Sequence, residues 1–342
     1  MANIKEVAEA SGVSTATVSY VLNNGPRRVK DETRERVFAA MRDLNYHPSA
    51  IARGMHGKRV NTIGVVALYP IKSVFKDPYF NSVIGGIVDA GAKLGQSIMI
   101  FNGERWMDPE SAVPIFCDGR CDGLLMLVAP LDDRTIPMLK QRTIPFVSIN
   151  EGSADPEVSS VNILNVDTAH RMVQYLIERG HRRIAHFAGD DYYQSAIDRV
   201  AGYRLALEDA GIEFDPRLVF PGRYDYESGY ERAMEHGAWL AGNVTALFCA
   251  NDYVGLGAWT ALDSQGISVP ETISIAGIDG INFGPTQKIH LTTMDQDLEG
   301  LAEEAVQVLM QLIEDESAAP VKVIRPLKLR EGKTVGPPRT LA

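Results

Sequence analysis

The first chemistry in this sequence lies in a short segment near the N-terminus, residues 13–24, that combines a helical pattern with small polar side chains. Val18, Val21 and Leu22 fall three and four residues apart, so one face of a helix can be buried. The opposite face lacks the Glu and Lys of an ordinary surface helix and carries Thr15, Ala16, Ser19 and Tyr20. Small polar residues let a helix enter a groove closely, where hydroxyl and backbone groups reach phosphates and base edges. The pattern therefore indicates a helix that reads double-stranded DNA.

The distribution of charge fits this interpretation. Residues 1–60 hold 10 Lys and Arg against 6 Asp and Glu, a net charge of +4, whereas the whole chain has a net charge of −10, so the remainder carries −14. A basic N-terminal region can supply phosphate contacts while an acidic body opposes indiscriminate binding to DNA. A chance imbalance of surface charge would look the same.

Composition excludes several other classes of protein. The chain has 342 residues, 45% of them hydrophobic and 23% charged, which is typical of a globular protein with more than one core. No apolar run approaches the roughly 18 residues of a membrane helix, and the polar N-terminus does not resemble a signal peptide. We therefore expect a cytoplasmic protein without a membrane partner. Cys117, Cys121 and Cys249 do not complete a set of metal ligands and are expected to be buried free thiols.

The familiar motifs of catalysis are missing from the sequence. It contains no Walker loop, no His-Glu-x-x-His and no Gly-x-Ser-x-Gly, and the Gly255-x-Gly257 pair lacks the third Gly of a dinucleotide-binding loop. His181 and His186 fit a helix-end loop and a strand better than a catalytic triad. The sequence predicts a protein that is not an enzyme and has no cofactor and no metal.

Further patterns predict the elements that hold the DNA-reading helix. Asn3 and Glu6 form a capping-box start for a first helix, Gly12 turns the chain, and Ser14 can cap the second helix. A third amphipathic segment, residues 31–44, carries apolar residues at helical spacing that can close a small core: Val37, Met41 and Leu44. Two short helices joined by a tight turn that contains Gly are the arrangement of an all-α helix-turn-helix domain.

Four motifs of this region match one protein family without gaps: Ile4-Lys-Glu-Val-Ala8, Val13-Ser-x-Ala-Thr-Val-Ser-x-Val-Leu-Asn23, Thr33-Arg-x-Arg-Val37 and Asn45-Tyr-x-Pro-Ser-x-x-Ala-Arg53. On these residues the region resembles the DNA-binding domain of the LacI/GalR family of bacterial repressors. The resemblance implies that the second helix lies in the major groove and reads bases through Thr15, Ala16 and Tyr20. It further implies residues that mostly hold the DNA backbone: Ser14, Thr17, Ser19 and Asn23.

The resemblance also implies a hinge at residues 48–61 that folds into a helix on operator DNA. Ala52, Arg53 and Met55 match its DNA-contacting positions, and Met55 stands where the family usually has a Leu wedge in the minor groove. Three departures from the family pattern stand out. Tyr20 replaces a common Arg, so a bidentate contact to guanine is lost. Lys30 replaces a Ser helix cap, a role that Asp31 can take, and Met55 is more flexible than Leu.

From residue 62 the pattern changes to short apolar runs that alternate with helix-length segments. The runs predict strands at residues 63–68, 97–101, 123–128 and 145–149, and after a break at 184–188, 218–220, 246–249 and 273–277; helices are predicted at 81–94, 167–179, 199–210 and 254–265. Continuous apolar strands that alternate with helices indicate a parallel sheet covered on both faces, and the restart implies two α/β lobes. Because ligands bind beyond the carboxyl ends of parallel strands, we expect a binding cleft between the lobes.

The resemblance extends over this body, on the motifs Arg179-Gly-His-Arg-Arg-Ile184, Ser195-Ala-x-x-Arg-x-x-Gly-Tyr203, Ala250-Asn-Asp252, Gly277-Ile-Asp279 and Leu291-Thr-Thr-x-Asp-Gln296. It implies a two-lobed α/β fold like that of a type I periplasmic sugar-binding protein, whose chain crosses between the lobes near residues 163–166, 292–295 and 323–325. The expected domains are a helix-turn-helix domain at 1–47, the hinge and linker at 48–61, and a ligand-binding and dimerisation domain at 62–342. Within the last, the first lobe spans about 62–164 and 294–323, and the second about 165–293 and 324–335.

By the same resemblance, eight residues are expected to bind a ligand in the cleft: Phe75, Asp77, Asn150, Ser195, Arg199, Tyr224, Asn251 and Asp279. The guanidinium of Arg199 can hold vicinal oxygens, and Tyr224 can stack on the apolar face of a sugar. Spacing alone leaves simpler interpretations open, in which Asn251 and Asp252 cap a helix and Arg199 forms a surface ion pair. Such a site suits a neutral polyol, most simply a sugar.

The resemblance implies a homodimer that binds a pseudo-palindromic operator and releases it when a sugar enters the cleft. A regulator that needs a purine or another metabolite as corepressor is the alternative. A free sugar-binding protein and an architectural DNA-binding protein are further alternatives, and the basic N-terminal region argues against the first. The segment after Leu329 has no heptad repeat, so we expect a dimer without a tetramerising coiled coil.

Overall fold

The computed structural model describes residues 2–22, 29–47, 59–67, 74–101, 108–131, 134–142, 144–150, 155–284, 289–315 and 317–341. They form two compact units, Met1–Val60 and Asn61–Ala342.

The N-terminal unit contains three helices: α1 (Ile4–Ser11), α2 (Thr15–Leu22) and α3 (Asp31–Asp43). The predicted capping box opens α1, since the Asn3 side chain accepts from the Lys5 and Glu6 N–H groups at 2.9 and 3.2 Å and the Glu6 carboxylate accepts from the Asn3 N–H at 2.9 Å. Gly12 ends α1 at φ 66°, a left-handed conformation that Gly adopts without steric cost. The chain can therefore turn directly into α2.

The three helices enclose a small core of buried side chains: Val7, Ala8, Val18, Val21, Val37 and Ala40. Leu22, Met41 and Leu44 are partly buried and pack around it. The predicted inward face of α2 is confirmed.

The start of α3 differs from the prediction. Lys30 occupies the N-cap and makes no capping hydrogen bond with its side chain, and Asp31 is the first helical residue rather than a cap. Asp31 and Glu32 instead place carboxylates in the first turn, where they face the positive end of the helix dipole.

The C-terminal unit is built on two six-stranded sheets, one in each lobe. The first sheet has the order β11-β5-β4-β3-β1-β2 and contains β1 (Thr62–Ala67), β2 (Ser97–Phe101), β3 (Gly123–Leu127), β4 (Phe146–Ile149), β5 (Ser159–Asn162) and β11 (Lys322–Ile324). The second has the order β12-β10-β9-β8-β6-β7 and contains β6 (Ile184–Phe187), β7 (Val219–Phe220), β8 (Ala246–Cys249), β9 (Ser274–Asp279), β10 (Thr292–Asp295) and β12 (Lys328–Arg330). The strands pair in parallel except for β12, which runs antiparallel to β10.

Helices cover both faces of each sheet, as the apolar strands predict. They are α4 (Pro78–Lys93), α5 (Pro109–Phe116), α6 (Thr135–Lys140), α7 (Asn165–Glu178), α8 (Gln194–Asp209), α9 (Tyr226–Asn243), α10 (Asp252–Ser264) and α11 (Leu298–Glu314). In the first lobe, α4 and α11 pack on one face of the sheet, and α5 and α6 pack on the other. In the second lobe, α7 and α8 cover one face, and α9 and α10 cover the other. In the part of the chain that the structure describes, no helix is long and apolar enough to span a membrane.

The chain passes between the lobes three times, at residues 163–164, 296–297 and 325–327. The first crossing lies within the predicted segment, but the other two lie slightly later than predicted. Met294 and Asp295 belong to the second lobe because β10 pairs with β9 along its whole length. Ile324 belongs to the first lobe because it pairs with Asn162 at the end of β11.

Candidate ligand-binding and DNA-binding sites

A cavity lies between the two lobes of the C-terminal unit. It is lined by Asp77, Tyr79, Phe80, Val128, Asn150, Ser195, Arg199, Tyr224, Asn251, Asp279 and Gln296. The structure therefore brings together seven of the eight residues that the sequence predicts for a ligand site. Phe75 is the exception.

The first-lobe wall of the cavity begins at the N-terminus of α4. Asp77 is the N-cap of this helix, and its Oδ1 accepts the backbone N–H of Tyr79 at 2.9 Å. The Asp77 side chain is buried, and it takes part in none of the ion pairs found among the described residues. Burial, with a smaller contribution from the Asp225 carboxylate, raises the pKa of Asp77 to about 6 against the lowering effect of the backbone hydrogen bonds.

A chain of hydrogen bonds joins the first-lobe wall to the second lobe. Asn150 Nδ2 donates to Tyr79 Oη at 2.6 Å and to Gln296 Oε1 at 2.9 Å. Gln296 Nε2 in turn donates to Asp279 Oδ1 at 2.7 Å. Because Gln296 lies on the second crossing, its side chain contacts both walls. Asn150 Oδ1 is buried and has no hydrogen-bond partner in the described structure, so it is an acceptor that a ligand can satisfy.

Asp279 ends β9 with strained geometry and a buried side chain. Its φ of 133° lies in a region that L-residues rarely adopt. Asp252, itself fully buried, supports this turn because its Oδ2 accepts the backbone N–H groups of Gly280 and Ile281 at 2.9 and 2.8 Å. Burial and the neighbouring Asp252 raise the pKa of Asp279 well above its ordinary value, while the Arg199 guanidinium lowers it.

Arg199 projects from α8 into the cavity and is only 6% exposed. Its Nε donates to Asn165 Oδ1 at 3.0 Å, its Nη1 donates to the carbonyl of Ala250, and its Cζ lies 5.6 Å from the centroid of the Tyr224 ring. Arg199 is absent from the ion pairs of the described residues, so the interpretation as a surface ion pair is wrong. Both acceptors are neutral, so the guanidinium is held in place and its positive charge is available to a ligand in the cavity.

Tyr224, Ser195 and Asn251 complete the second-lobe wall. Ser195 Oγ lies 3.0 Å from Tyr224 Oη, and a Cβ at Gly189 would collide with the Tyr224 ring, so this Gly makes room for it. Asn251 is the N-cap of α10, as the simpler interpretation has it: its side chain accepts the Val254 N–H at 2.8 Å. Its Nδ2 donates to the carbonyl of Tyr224 at 3.0 Å, so the cap also lines the cavity.

Phe75 does not line this cavity. It lies in a 3-10 turn two residues before the inward-facing Asp77, is 56% exposed, and faces a neighbouring groove. The groove is also lined by Lys76, Tyr226, Tyr253 and Trp259. The prediction that Phe75 lines the cavity is therefore wrong, because the chain turns toward α4 between Phe75 and Asp77.

Four lining residues were not predicted: Tyr79, Phe80, Val128 and Gln296. Tyr79 and Phe80 lie two and three residues after Asp77, and Gln296 is the last residue of the family motif that begins at Leu291, so the sequence around them pointed to the cavity. Val128 gave none, because an apolar residue at the end of a strand is expected in the core. Its φ of 53°, unusual for a β-branched residue, turns the chain at the cavity wall.

In the N-terminal unit, the predicted DNA-reading face of α2 is accessible. Ser14, Thr15 and Ala16 are exposed, Thr17 and Ser19 are half-buried, and Tyr20 is 37% exposed. Ser14 Oγ accepts the Thr17 N–H at 3.1 Å, so the predicted cap is confirmed. The remaining predicted DNA contacts lie outside the described residues: Asn23, Ala52, Arg53 and Met55.

Comparison with known proteins covers both units. Residues 3–49 match the model for bacterial regulatory proteins of the lacI family, and residues 173–335 match that for a periplasmic binding protein-like domain. The HTH-type transcriptional repressor PurR of Erwinia tasmaniensis is 34% identical over 344 residues, covering 99% of each chain. The HTH-type transcriptional regulator CelR of Thermobifida fusca is 32% identical and covers 94% of each chain.

Solved structures agree with these relatives. A lac repressor dimer bound to operator and the anti-inducer ONPF has a TM-score of 0.83 at 28% identity and covers 98% of this chain and 99% of its own. A CelR–cellobiose complex has a TM-score of 0.74 at 29% identity and covers 98% of this chain and 100% of its own. The chain belongs to the LacI family of bacterial regulatory proteins and is a DNA-binding transcriptional regulator with an effector-binding domain.

Proposed function

We propose that this regulator is a repressor whose effector is an uncharged carbohydrate. The observation that supports this ligand class is the mixture of groups in the cavity: Asp77, Asp279 and Asn150 Oδ1 accept hydrogen bonds, Arg199 donates, and Tyr224 offers an aromatic face. Each hydroxyl of a sugar both donates and accepts, and the sugar ring has an apolar face, so such a ligand satisfies all of these groups. The similarity to a solved CelR–cellobiose complex adds support.

In this proposal the ligand acts by joining the two walls. Arg199, Asn251 and Asp279 hold it from the second lobe, and Asp77 and Asn150 hold it from the first. The lobes already touch beside the cavity, where Tyr253 Oη donates to the Lys76 carbonyl at 3.4 Å and the Leu131 N–H donates to the Tyr192 carbonyl at 3.1 Å. A ligand that binds one arrangement of the lobes more tightly than another shifts the balance between them.

In this proposal the regulator binds DNA as a homodimer, which presents two N-terminal units to a pseudo-palindromic operator. Thr15, Ala16 and Tyr20 read bases, and the backbone contacts come from Ser14, Thr17, Ser19 and Asn23. Ala52, Arg53 and Met55 extend the contact into the minor groove. The lac repressor dimer on its operator supports this arrangement. Because coupling is reciprocal, DNA must change ligand affinity by the same factor by which ligand changes DNA affinity.

The test begins with a duplex selected from a randomised library by the full-length protein. Its affinity is then measured alone and with saturating sugars, sugar phosphates or purines. We expect one neutral sugar to raise the thermal midpoint and to weaken operator binding. A purine that strengthens operator binding would establish the corepressor alternative instead, and equal operator affinity with and without every bound ligand would contradict the switch.

A further inference from the structure

Asp77 gives the first-lobe wall of the cavity a carboxylate, whereas the Arg199 guanidinium belongs to the second-lobe wall. The Arg199 guanidinium lowers the pKa of Asp279, its neighbour in the second lobe, whereas the Asp77 carboxylate raises it. A further carboxylate, Asp225 at the N-terminus of α9, raises the pKa of Asp77. Asp77 is only 7% exposed and takes part in none of the ion pairs found among the described residues, so its ionised form adds a negative charge to a wall whose lining residues include no cation.

The hydrogen-bonding groups beside Asp77 point to the same kind of ligand. Asn150 is 8% exposed, and both of its amide donor contacts are to protein atoms, Tyr79 Oη and Gln296 Oε1. The group that Asn150 leaves for a ligand is its unpartnered acceptor, Oδ1. Asn150 Oδ1 and the Asp77 carboxylate are thus acceptors to which a ligand can donate. A hydroxyl supplies a donor, whereas an ionised phosphate brings acceptor oxygens and a charge of about −1.5 to −2 at neutral pH.

We propose that Asp77 is a specificity-determining residue that accepts a hydrogen bond from a ligand hydroxyl and excludes the phosphorylated counterpart of the same ligand. This inference rests on the proposed carbohydrate function and names the residue that sets its charge selectivity.

The helix-capping role of Asp77 does not require a negative charge. Asn caps a helix about as well as Asp, because its side-chain oxygen accepts the same backbone N–H. Asp77→Asn therefore keeps the hydrogen bond to Tyr79 N and removes the charge alone. Asp77→Glu keeps the charge. The matched control is Asp89→Asn, which makes the same change of charge at an exposed position of the same helix, outside the cavity lining.

The experiment is calorimetric titration of the full-length protein and these variants with cellobiose, glucose, glucose 6-phosphate, ribose and ribose 5-phosphate. We compare the ratio of affinities for a neutral sugar and for its phosphate, because this ratio does not change when a variant weakens the binding of both ligands equally. We expect the wild-type protein to prefer the neutral sugar by a factor on the order of 10 to 100, since a like charge within a few ångströms in a poorly solvated site acts with this strength. Asp77→Asn should lose most of this ratio, while Asp89→Asn and Asp77→Glu should keep it.

The possible failures differ from one another. An unchanged ratio in Asp77→Asn, or a wild-type protein that prefers a sugar phosphate, overturns the role of Asp77 and leaves a carbohydrate effector standing. Failure of every sugar and sugar phosphate to bind, with a purine binding instead, overturns the proposed function and the role of Asp77 with it. Circular dichroism and thermal midpoints of the variants show whether each one is folded.

Discussion

Arg199 and Asn251 of the second-lobe wall are held by bonds within their own lobe, whereas one of the two bonds that hold Asn150 of the first-lobe wall runs to a segment that crosses between the lobes. Arg199 is tied to Asn165 and Ala250, and Asn251 is tied to Val254 and Tyr224, all in the second lobe. In the first lobe, the side-chain bonds that orient Asn150 run to Tyr79 and to Gln296 on a crossing segment.

The two walls are therefore expected to contribute differently to ligand recognition. Groups that are already held in place lose little freedom when a ligand binds, so the second-lobe wall can supply affinity. The first-lobe wall carries the unpartnered Asn150 Oδ1 and the Asp77 carboxylate, and Asn150 is bonded to Gln296 on a crossing segment, where a movement of the lobes is felt. We therefore expect substitutions in the second-lobe wall to act on stability and affinity, and substitutions in the first-lobe wall to act on selectivity and pH dependence.

The largest effect is expected at Asp252, which supports the second-lobe wall from behind. Asp252→Ala leaves the Ile281 N–H without its acceptor and the Gly280 N–H with only the longer bond to Thr293 Oγ1 at 3.3 Å, and we expect a loss of about 2–4 kcal/mol in the free energy of unfolding. Asp252→Asn keeps an acceptor and should lose much less. Urea denaturation measures both, with the exposed Asp263→Ala on the same helix as control. An alanine variant as stable as the wild-type protein would show that the turn needs no support.

The next largest effect is expected at Arg199. Lys keeps the charge but cannot hold Asn165, Ala250 and a ligand together, because it lacks the planar fork of the guanidinium. We expect Arg199→Lys to lower affinity for the effector by a factor on the order of 10 to 100. Calorimetric titration tests this, with Arg204→Lys on the exposed side of α8 as control. Equal affinities of wild-type protein and Arg199→Lys would mean that the fork is not used.

A smaller, pH-dependent effect is expected at Asp77. Its pKa of about 6 lies above its ordinary value of 3.8, so the folded state binds this proton more tightly than the unfolded state does. The contribution of Asp77 to stability therefore falls as pH rises from about 4 to 6 and stays low above that range. Asp77→Asn should be more stable than the wild-type protein by about 1–2 kcal/mol at pH 7.5 and equal to it near pH 4. Unfolding at both pH values measures the difference, and a difference independent of pH would contradict the assignment.

The smallest effect is expected from the hydroxyl of Tyr224. Tyr224→Phe removes the contact with Ser195 Oγ but keeps the aromatic face, so we expect effector affinity to change by less than about fivefold. Tyr224→Ala removes the ring and should weaken binding considerably more. If the two variants bind equally weakly, the hydroxyl rather than the ring makes the contact.

The parts of the fold that were predicted are those with a simple pattern. The continuous apolar runs of β3 and β8 are buried on both faces and lie within one residue of their predicted bounds. Helices α5, α6, α9 and α11 were not predicted, and Pro114 and Pro137 interrupt the patterns of the first two. These residues break helices in isolation, and only the packing of the lobes makes them acceptable there.

The candidate site was predictable where a polar residue follows a strand. Asn150 and Asp279 come directly after or at the end of buried strands, and parallel strands bring such positions to the same edge. Their left-handed or strained backbone conformations, and the inward turn that separates Asp77 from Phe75, depend on the tertiary structure. These backbone conformations and this turn cannot be predicted from the spacing of residues in the sequence.

The three crossings have a consequence for the synthesis of the chain. The first lobe begins at β1, but α11, at residues 298–314, supplies part of the core that packs on its sheet through Leu301, Ala302, Ala305, Val306 and Leu309. A nascent or truncated chain that stops before residue 298 leaves the apolar faces of Ile63, Val65 and Leu125 without this cover. The lobe that the ribosome makes first is thus among the last parts to be finished, and neither lobe can be cut from the gene as one continuous piece.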